Sequence, residues 1–539
     1  MNKRATCLAA CMATLAVGTD PAAAQVGSQA AFVVTDPHYL ETPAGRKPRV
    51  VITADPELDD ANSLIRYLLY SADFDTVGLI YASSQFHWTG DGNGTRWFVP
   101  GREYRRFGLD LCPCTSWRWD PHERFIDRAV DAYAKAWPNL HRHDPAYPAP
   151  DAVRAVVRWG NVQFDGEMEH DTPGSDLIKA LLLDGDDSPV YLHAWGGQST
   201  IARALKSIEE QYGQSPEWPA IRARVVAKAV IHPSGDQDDT YARYIQPFWP
   251  DIRYRKQAGA IPLSYGAQAM VSETDAAFFS REWTAANVSA KGPLGALYRV
   301  WGDGKQMVAG DRFDYFGVAS KTAEQLRTEG YVVWSPIQPQ GSFLGEGDTP
   351  TFLNLIGNGL RGYRDASFGG WGGHAAPAPP PSFASGFAAL EATAAGQAPR
   401  SAPARMATHR FLATAQNDLA ARFDWATQPS RADANHPPQI TAQGPTTIDA
   451  PAGQIVPLRV SATDPDGDRV TVRWWRWDEA DSFTGAADVL EAQGLRSGLL
   501  VPPGTPAGTD IQVVAEATDN GTPPLTRYER FVIRVSGAH

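Results

Sequence analysis

Arg49-Val50-Val51-Ile52-Thr53-Ala54-Asp55-Pro56-Glu57-Leu58-Asp59-Asp60 is the stretch on which the fold turns. Its first half is apolar and β-branched and reads as a strand. Its second half carries four carboxylates and opens an amphipathic helix predicted over Asp59 to Tyr70, with Ala61, Leu64, Ile65, Leu68 and Leu69 on one face. A second strand follows at Thr76-Val77-Gly78-Leu79-Ile80-Tyr81, completing a βαβ unit. The alternation recurs as helix Ser175 to Leu183, strand Val190 to Ala194, helix Ser199 to Ile208 and strand Ala223 to Ile231. This predicts an α/β fold, a mostly parallel sheet flanked by helices, with its sites beyond the carboxyl ends of the strands.

A chain of 539 residues exceeds one ordinary domain. The Pro- and Ala-rich stretch 375–403 reads as a connecting loop. Phe411, Leu412, Ala415, Leu419 and Phe423 then return at helical spacing, so the large domain is expected to span 45–437 and to close at His436-Pro437-Pro438. Beyond it, short alternating strands (Ile455 to Val460, Val470 to Trp475, Asp510 to Ala515, Tyr528 to Val535) predict an immunoglobulin-like β-sandwich over 438–539. In that tail Asp464-Pro465-Asp466-Gly467-Asp468 suits calcium in composition but lacks the rest of an EF-hand loop, and a hairpin turn explains it more simply. Trp474, Trp475 and Trp477 are read as filling the sandwich core, facing the large domain or meeting a polysaccharide.

Residues 1–25 combine Lys3 and Arg4, a short apolar run and Ala22-Ala23-Ala24, the layout of a cleaved signal peptide, so a secreted or periplasmic protein is expected. Cys112 and Cys114 remain after it, as a small loop staple or as two free thiols. A formal charge of -12 argues against nucleic acid polymers and membrane surfaces as partners and fits a neutral or cationic small molecule. Oligomeric state has no signature in the sequence.

Acidic residues recur at three strand-to-helix junctions: Asp55 to Asp60, Asp236-Gln237-Asp238-Asp239, and Gly345-Glu346-Gly347-Asp348-Thr349-Pro350. A fourth junction, His193-Ala194-Trp195-Gly196-Gly197-Gln198, offers carbonyls and amides around a glycine pair. Each alone is explained by helix capping, which needs one carboxylate. On one rim together they suit a hard, oxygen-seeking divalent cation.

Asp55-Pro56-x-x-Asp59-Asp60 resembles the aspartate motif of nucleoside hydrolases. With Thr172 to Ile178, Ala194-Trp195-Gly196-Gly197, Glu346 to Pro350 and Gly369-Gly370-Trp371-Gly372-Gly373, the chain resembles a nucleoside-hydrolase-like bacterial family sometimes labelled cellulose-binding, with its C-terminal Ig-like tail. The resemblance implies a Ca2+ site made by Asp55, Asp60, the main-chain carbonyl of Trp195, and Asp348. It makes Asp55 the general base, puts Asp59 on a sugar hydroxyl, and sets Gln85 where nucleoside hydrolases carry an Asn. Three positions depart from the pattern. Thr53 replaces an Asp, Glu57 replaces a Gly, and Gly347 stands where purine-cleaving relatives carry a His that protonates the leaving base. His87, His170, Glu167 and Glu346 are the substitutes considered for that acid, Trp88, Trp195 and Trp371 the stacking faces for sugar rings, and Asp236 and Gln237 further substrate contacts. The resulting expectation is an exported calcium-dependent glycosidase that cleaves a ribosyl or other furanosyl N- or O-glycosidic bond by direct water attack. The competing expectation is a non-catalytic polysaccharide-binding protein on the same scaffold. The partner in either case is a small glycoside or oligosaccharide.

Overall fold

Six parallel strands form the central sheet: β1 (Arg49–Ala54), β2 (Asp75–Tyr81), β3 (Val157–Trp159), β4 (Val190–Ala194), β5 (Ala229–Pro233) and β6 (Arg253–Tyr254), in the order β3-β2-β1-β4-β5-β6. The computed structural model describes residues 33–365, 367–375, 391 and 405–537. The signal peptide expected at 1–25 and, apart from Ala375 and Glu391, the loop expected at 375–403 lie outside the described residues. The chain builds outward from β1 to β3 and then returns to place β4 on the other side of β1. The crevice of an open parallel sheet lies at such a reversal. It falls beyond β1 and β4, where Asp55 and Trp195 follow.

β1 is buried on both faces, as a strand between two helical layers must be. Val50 and Ile52 pack with α1 (Leu58–Leu69), α2 (Phe125–His143) and α6 (Leu412–Thr427), through Leu64, Leu68, Val130 and Phe423. Val51 faces α3 (Pro173–Leu183), α4 (Ser199–Tyr212) and α5 (Trp218–Lys228), through Ile178, Leu205 and Val225. The strand expected over Ala223 to Ile231 is instead the end of α5 followed by β5. Val225 and Val226 bury a helix face, and Ala229 to Ile231 continue the same apolar run as a strand. A short apolar run does not distinguish the two by periodicity. After the third acidic junction the helix is a single turn, Pro350–Leu353. Cys112 and Cys114 close a disulfide. Among the described residues no helix is long and apolar enough to cross a membrane.

The C-terminal unit packs β8 (Thr447–Pro451), β13 (Thr526–Ser536), β12 (Asp510–Thr518) and β10 (Thr471–Arg476) against β11 (Arg496–Leu500), β9 (Ile455–Thr463) and β7 (Gln439–Ala442). β8 runs parallel to β13 and the other pairs are antiparallel. Val456, Leu458 and Val460 alternate into a core that Trp474 fills. Trp475 and Trp477 face the large unit: the Trp477 ring lies 5.3 Å from Phe411, just before α6.

Candidate functional site

The strand-to-helix turn after β1 brings the acidic cluster together without using it to cap the helix. Glu57 is the N-cap of α1, and no side chain makes a cap hydrogen bond there. The carboxylates turn instead toward one another. Asp55 N donates to Asp60 Oδ1 at 3.2 Å, and Asp55 Oδ2 accepts from the Ser84 hydroxyl and lies 3.2 Å from His87 Nδ1. Asp59 Oδ1 accepts from Tyr265 Oη at 2.9 Å and Oδ2 from Gly347 N at 3.2 Å. Asp348, from the distant third junction, stands against Asp60 and Ser234. The ligating atoms of Asp55, Glu57 and His87 lie within 4.8 Å of one another, as do those of Glu57, Asp59 and Asp60. Glu57, the residue that departs from the family pattern, therefore joins the two groups.

Next to β1, the Gly196-Gly197 pair lets the β4 turn come close. A Cβ on Gly197 would stand 2.3 Å from Asp238 Oδ2, the oxygen that accepts from Ser199 N at the start of α4. The Trp195 carbonyl faces the same loop and accepts from Gln237 Nε2 at 2.5 Å, which leaves it a second lone pair.

Burial is the first cause that pushes Glu57, Asp60 and Asp348 well above the ordinary carboxylate range, and their mutual repulsion adds to it. Asp59 is pushed up to about 6 by burial, against the hydrogen bond from Tyr265. The partial positive charge at the α1 N-terminus, about half a unit, is too small to balance the group. Asp55 Oδ1 and Asp348 Oδ2 are buried with no hydrogen-bond partner among the described residues. Orphaned carboxylate oxygens in an oxygen-rich set of this charge fit calcium, which takes six to eight oxygen ligands in irregular geometry.

A cavity of about 280 Å³ opens over the cluster. Asp59, Asp60 and Asp348 line one side, and Phe86, Phe107, Tyr265, Phe313 and Trp334 supply aromatic wall. Arg118 and Glu103 also line it. Glu103 Oε1 accepts from Trp117 Nε1 at 2.9 Å and Arg118 Nη1 at 3.0 Å, and Arg118 Nε donates to Asp311 at 2.7 Å. Burial, partly offset by Arg118, pushes the Glu103 carboxyl up to about 7.

Several sequence expectations change here. Glu346 is not at the cavity: it is fully buried in an ion pair with Arg66 (2.5 Å), with Tyr298 and Thr349 also donating to it. Trp88 and Trp371 are fully buried and offer no stacking face, and the Trp195 indole is buried with its Nε1 donating to Thr351. His170 is exposed and pairs with Glu167, whose Oε2 accepts from Asn161, away from the cavity. Asp236 accepts from the amides of Tyr241 and Ala242 as a cap, and only Gln237 of that junction lines the cavity. Gln85 is buried and donates to the Gln237 carbonyl at 3.0 Å, bracing that loop. His87 lies behind Asp55, fully buried, and burial lowers its pKa. Glu103, Arg118, Phe107, Phe313 and Trp334 carried no sequence signal, because they come from loops without periodicity or motif.

Residues 49–374 match the family described as "Cellulose-binding Sde182, nucleoside hydrolase-like domain". The chain belongs to that family. Residues 455–535 match "Cellulose-binding protein Sde0182, C-terminal domain". Among solved structures, the chain is similar to a nucleoside hydrolase-related hypothetical protein from Saccharophagus degradans that is associated with carbohydrate metabolism. The TM-score is 0.63 at 23% identity, over 91% of this chain and 100% of that one, a likeness of fold. No curated protein matches the chain.

Proposed function

We propose that the cavity is the active site of an exported, calcium-dependent glycosidase acting on a ribosyl or other furanosyl bond, N- or O-linked. The observation that carries this reading is the buried carboxylate cluster with two unpartnered oxygens, Asp55 Oδ1 and Asp348 Oδ2, beside an aromatic-walled cavity. Asp55, Asp60 and Asp348, with Glu57 and the free lone pair of the Trp195 carbonyl, would hold a calcium ion, which supplies Lewis acidity toward water and an anchor for sugar hydroxyls.

Asp55 takes one proton from the attacking water as its oxygen bonds to the anomeric carbon. His87 Nδ1 and the Ser84 hydroxyl fix the Asp55 carboxylate from behind. The bond to the leaving group breaks in the same displacement, and Glu103, in the protonated form that its carboxyl keeps below about pH 7, gives that group its proton. Water adds, the two halves of the glycoside separate, and the configuration inverts. Asp59 grips a sugar hydroxyl, and Phe86, Phe313 and Trp334 exclude water from the ring. The volume suits one sugar unit.

The test is release of reducing sugar from nucleosides and a panel of furanosides with calcium or chelator, for wild type and Asp55→Asn. Calcium-dependent release lost in Asp55→Asn supports the reading. Sugar binding without turnover on any glycoside overturns it in favour of a carbohydrate-binding protein, a reading that the family's description supports.

A further inference from the structure

At the root of the β-sandwich, three segments meet far from the cavity: Asn435, between α6 and β7; Asp464, between β9 and β10; and Asp519, between β12 and β13. Asp519 is 4% exposed. Its Oδ1 accepts from Gly521 N and Leu525 N, each at 3.0 Å, and from Asn435 Nδ2 at 3.1 Å. Its Oδ2 is buried without a partner.

Asn435 is 7% exposed, and its Nδ2 is used twice, toward Asp519 Oδ1 and the Pro523 carbonyl at 2.7 Å. The amide orientation is therefore fixed, and its Oδ1 is the second buried atom without a partner. Asp464 Oδ1 accepts from Asp466 N at 2.8 Å and Asp468 N at 3.1 Å, the hydrogen bonds of the turn. Its Oδ2 is the third orphan.

Three oxygens, two of them from carboxylates, are thus left unsatisfied in one region. The turn that carries Asp464 is held against both other segments: Arg469 N donates to Asn520 Oδ1 at 2.7 Å, and Asp466 Oδ2 accepts from His436 N at 2.7 Å. Two nearby donor groups point to other acceptors. Arg431 donates to the His143 carbonyl, and the His436 amide and Nδ1 both go to Asp466. An unmet buried polar group costs about 1–3 kcal/mol, and more for a charged one. Three in one place point to a missing common partner.

We propose that Asn435, Asp464 and Asp519 form a calcium site that fastens the β-sandwich to the segment entering it. Two carboxylates and an amide oxygen match a hard divalent cation in charge and donor type. A surface hollow lined by Asn435, Asp466 and Asp468 gives an entry path and room for the waters that complete the coordination shell. The turn at Asp464 to Asp468 is half of the arrangement, and Asn435 and Asp519 supply what an isolated loop lacks.

The test is calcium titration of the full chain by equilibrium dialysis, with terbium luminescence sensitised by Trp425, whose Nε1 donates to the Asn435 carbonyl at 2.8 Å. Asp519→Asn and Asp464→Asn keep the size and one oxygen of each side chain. Each is expected to bind one calcium ion fewer per chain and to weaken the terbium signal about tenfold or more. Asp348→Asn, at the cavity, is expected to leave that terbium signal unchanged, so this site stands or falls independently of the cavity reading. Unchanged calcium stoichiometry in a folded Asp519→Asn or Asp464→Asn chain overturns the proposal in favour of buried water. Complete loss of calcium binding in Asp348→Asn overturns it as well.

Discussion

Asp59 occupies the space that a side chain at position 347 would need: Gly347 N donates to Asp59 Oδ2 at 3.2 Å, and a Cβ there would stand 2.3 Å from that oxygen. The purine-cleaving pattern, with a His at this position, is therefore incompatible with the Asp59 conformation. Gly347→Ala should swing the end of the Asp59 side chain and loosen its hydrogen bond from Tyr265, at a stability cost of about 1 kcal/mol. Sugar affinity is expected to fall about 10- to 150-fold, since one hydrogen bond to a charged group is worth about 1.5–3 kcal/mol. Sugar titration beside a urea melt checks this, and a large loss of stability with unchanged sugar affinity would contradict it.

Glu346 and Arg66 make a fully buried pair, Nε to Oε2 at 2.5 Å. Removing one charge strands the other, at a cost of about 3–5 kcal/mol, whereas replacing both with apolar groups costs far less. Glu346→Gln should therefore lower the urea midpoint sharply, and Arg66→Met with Glu346→Leu should recover most of it. A Glu346→Gln protein as stable as wild type but inactive would return Glu346 to the role of acid.

These two neighbours show where the sequence was legible. The Arg49 to Asp60 stretch announces its strand and helix because buried strands and amphipathic helices leave different apolar periods. Asp55 and Asp60 follow the carboxyl end of β1, where the sites of parallel sheets lie, whereas Asp348 reaches them from a turn after an isolated bridge at Phe343 rather than from a strand end. Glu346, two residues from Asp348, points away from the cavity because Arg66 takes it, and a sequence separation of 280 hides that pairing. In sequence, Trp88 and Trp371 suit a sugar platform and a packed core equally, because a large aromatic face serves both, and burial decides for the core. Glu103 was silent: its raised pKa depends on folding with Arg118 and Trp117 into a buried wall.

Glu103 sets the expected pH dependence. With its pKa pushed up to about 7, it is protonated below that pH and loses the proton above it. A proton donor is active only in the protonated form, so kcat/KM should fall about tenfold per pH unit above about 7. Glu103→Gln should remove that limb and lower the rate by about 10²–10⁴-fold on poor leaving groups. A pH–rate profile of both proteins reads this directly; an unaltered alkaline limb in the variant would assign it to another group.

Protons and calcium should compete at the cavity. Asp59 is pushed up to about 6, and Glu57, Asp60 and Asp348 are raised well above the ordinary range. Cation binding needs the charged forms, so affinity should rise with pH and fade in acid. Calcium at about a hundred times its Kd would add about 2.7 kcal/mol to stability. Melts with calcium or chelator at pH 5 and pH 8 should give the larger shift at pH 8, and in Asp519→Asn that shift reports the cavity alone.

Trp477 belongs to the sandwich in sequence and to the large unit in packing. It is 3% exposed, with Phe411 at 5.3 Å on one side and the Arg530 guanidinium 4.5 Å from its ring centre. Trp474, on the preceding strand, points into the sandwich's own core and packs on Phe531. Truncating either should cost about 3–5 kcal/mol, but from different places. Trp477→Ala removes the wedge that couples the two units and should split a shared calorimetric transition into two. Trp474→Ala should lower the melting of the sandwich while leaving the seam residues Trp477, Phe411 and Tyr528 in contact. Two transitions already present in the wild-type protein, unmoved by Trp477→Ala, would show that this aromatic seam transmits no stability between the units.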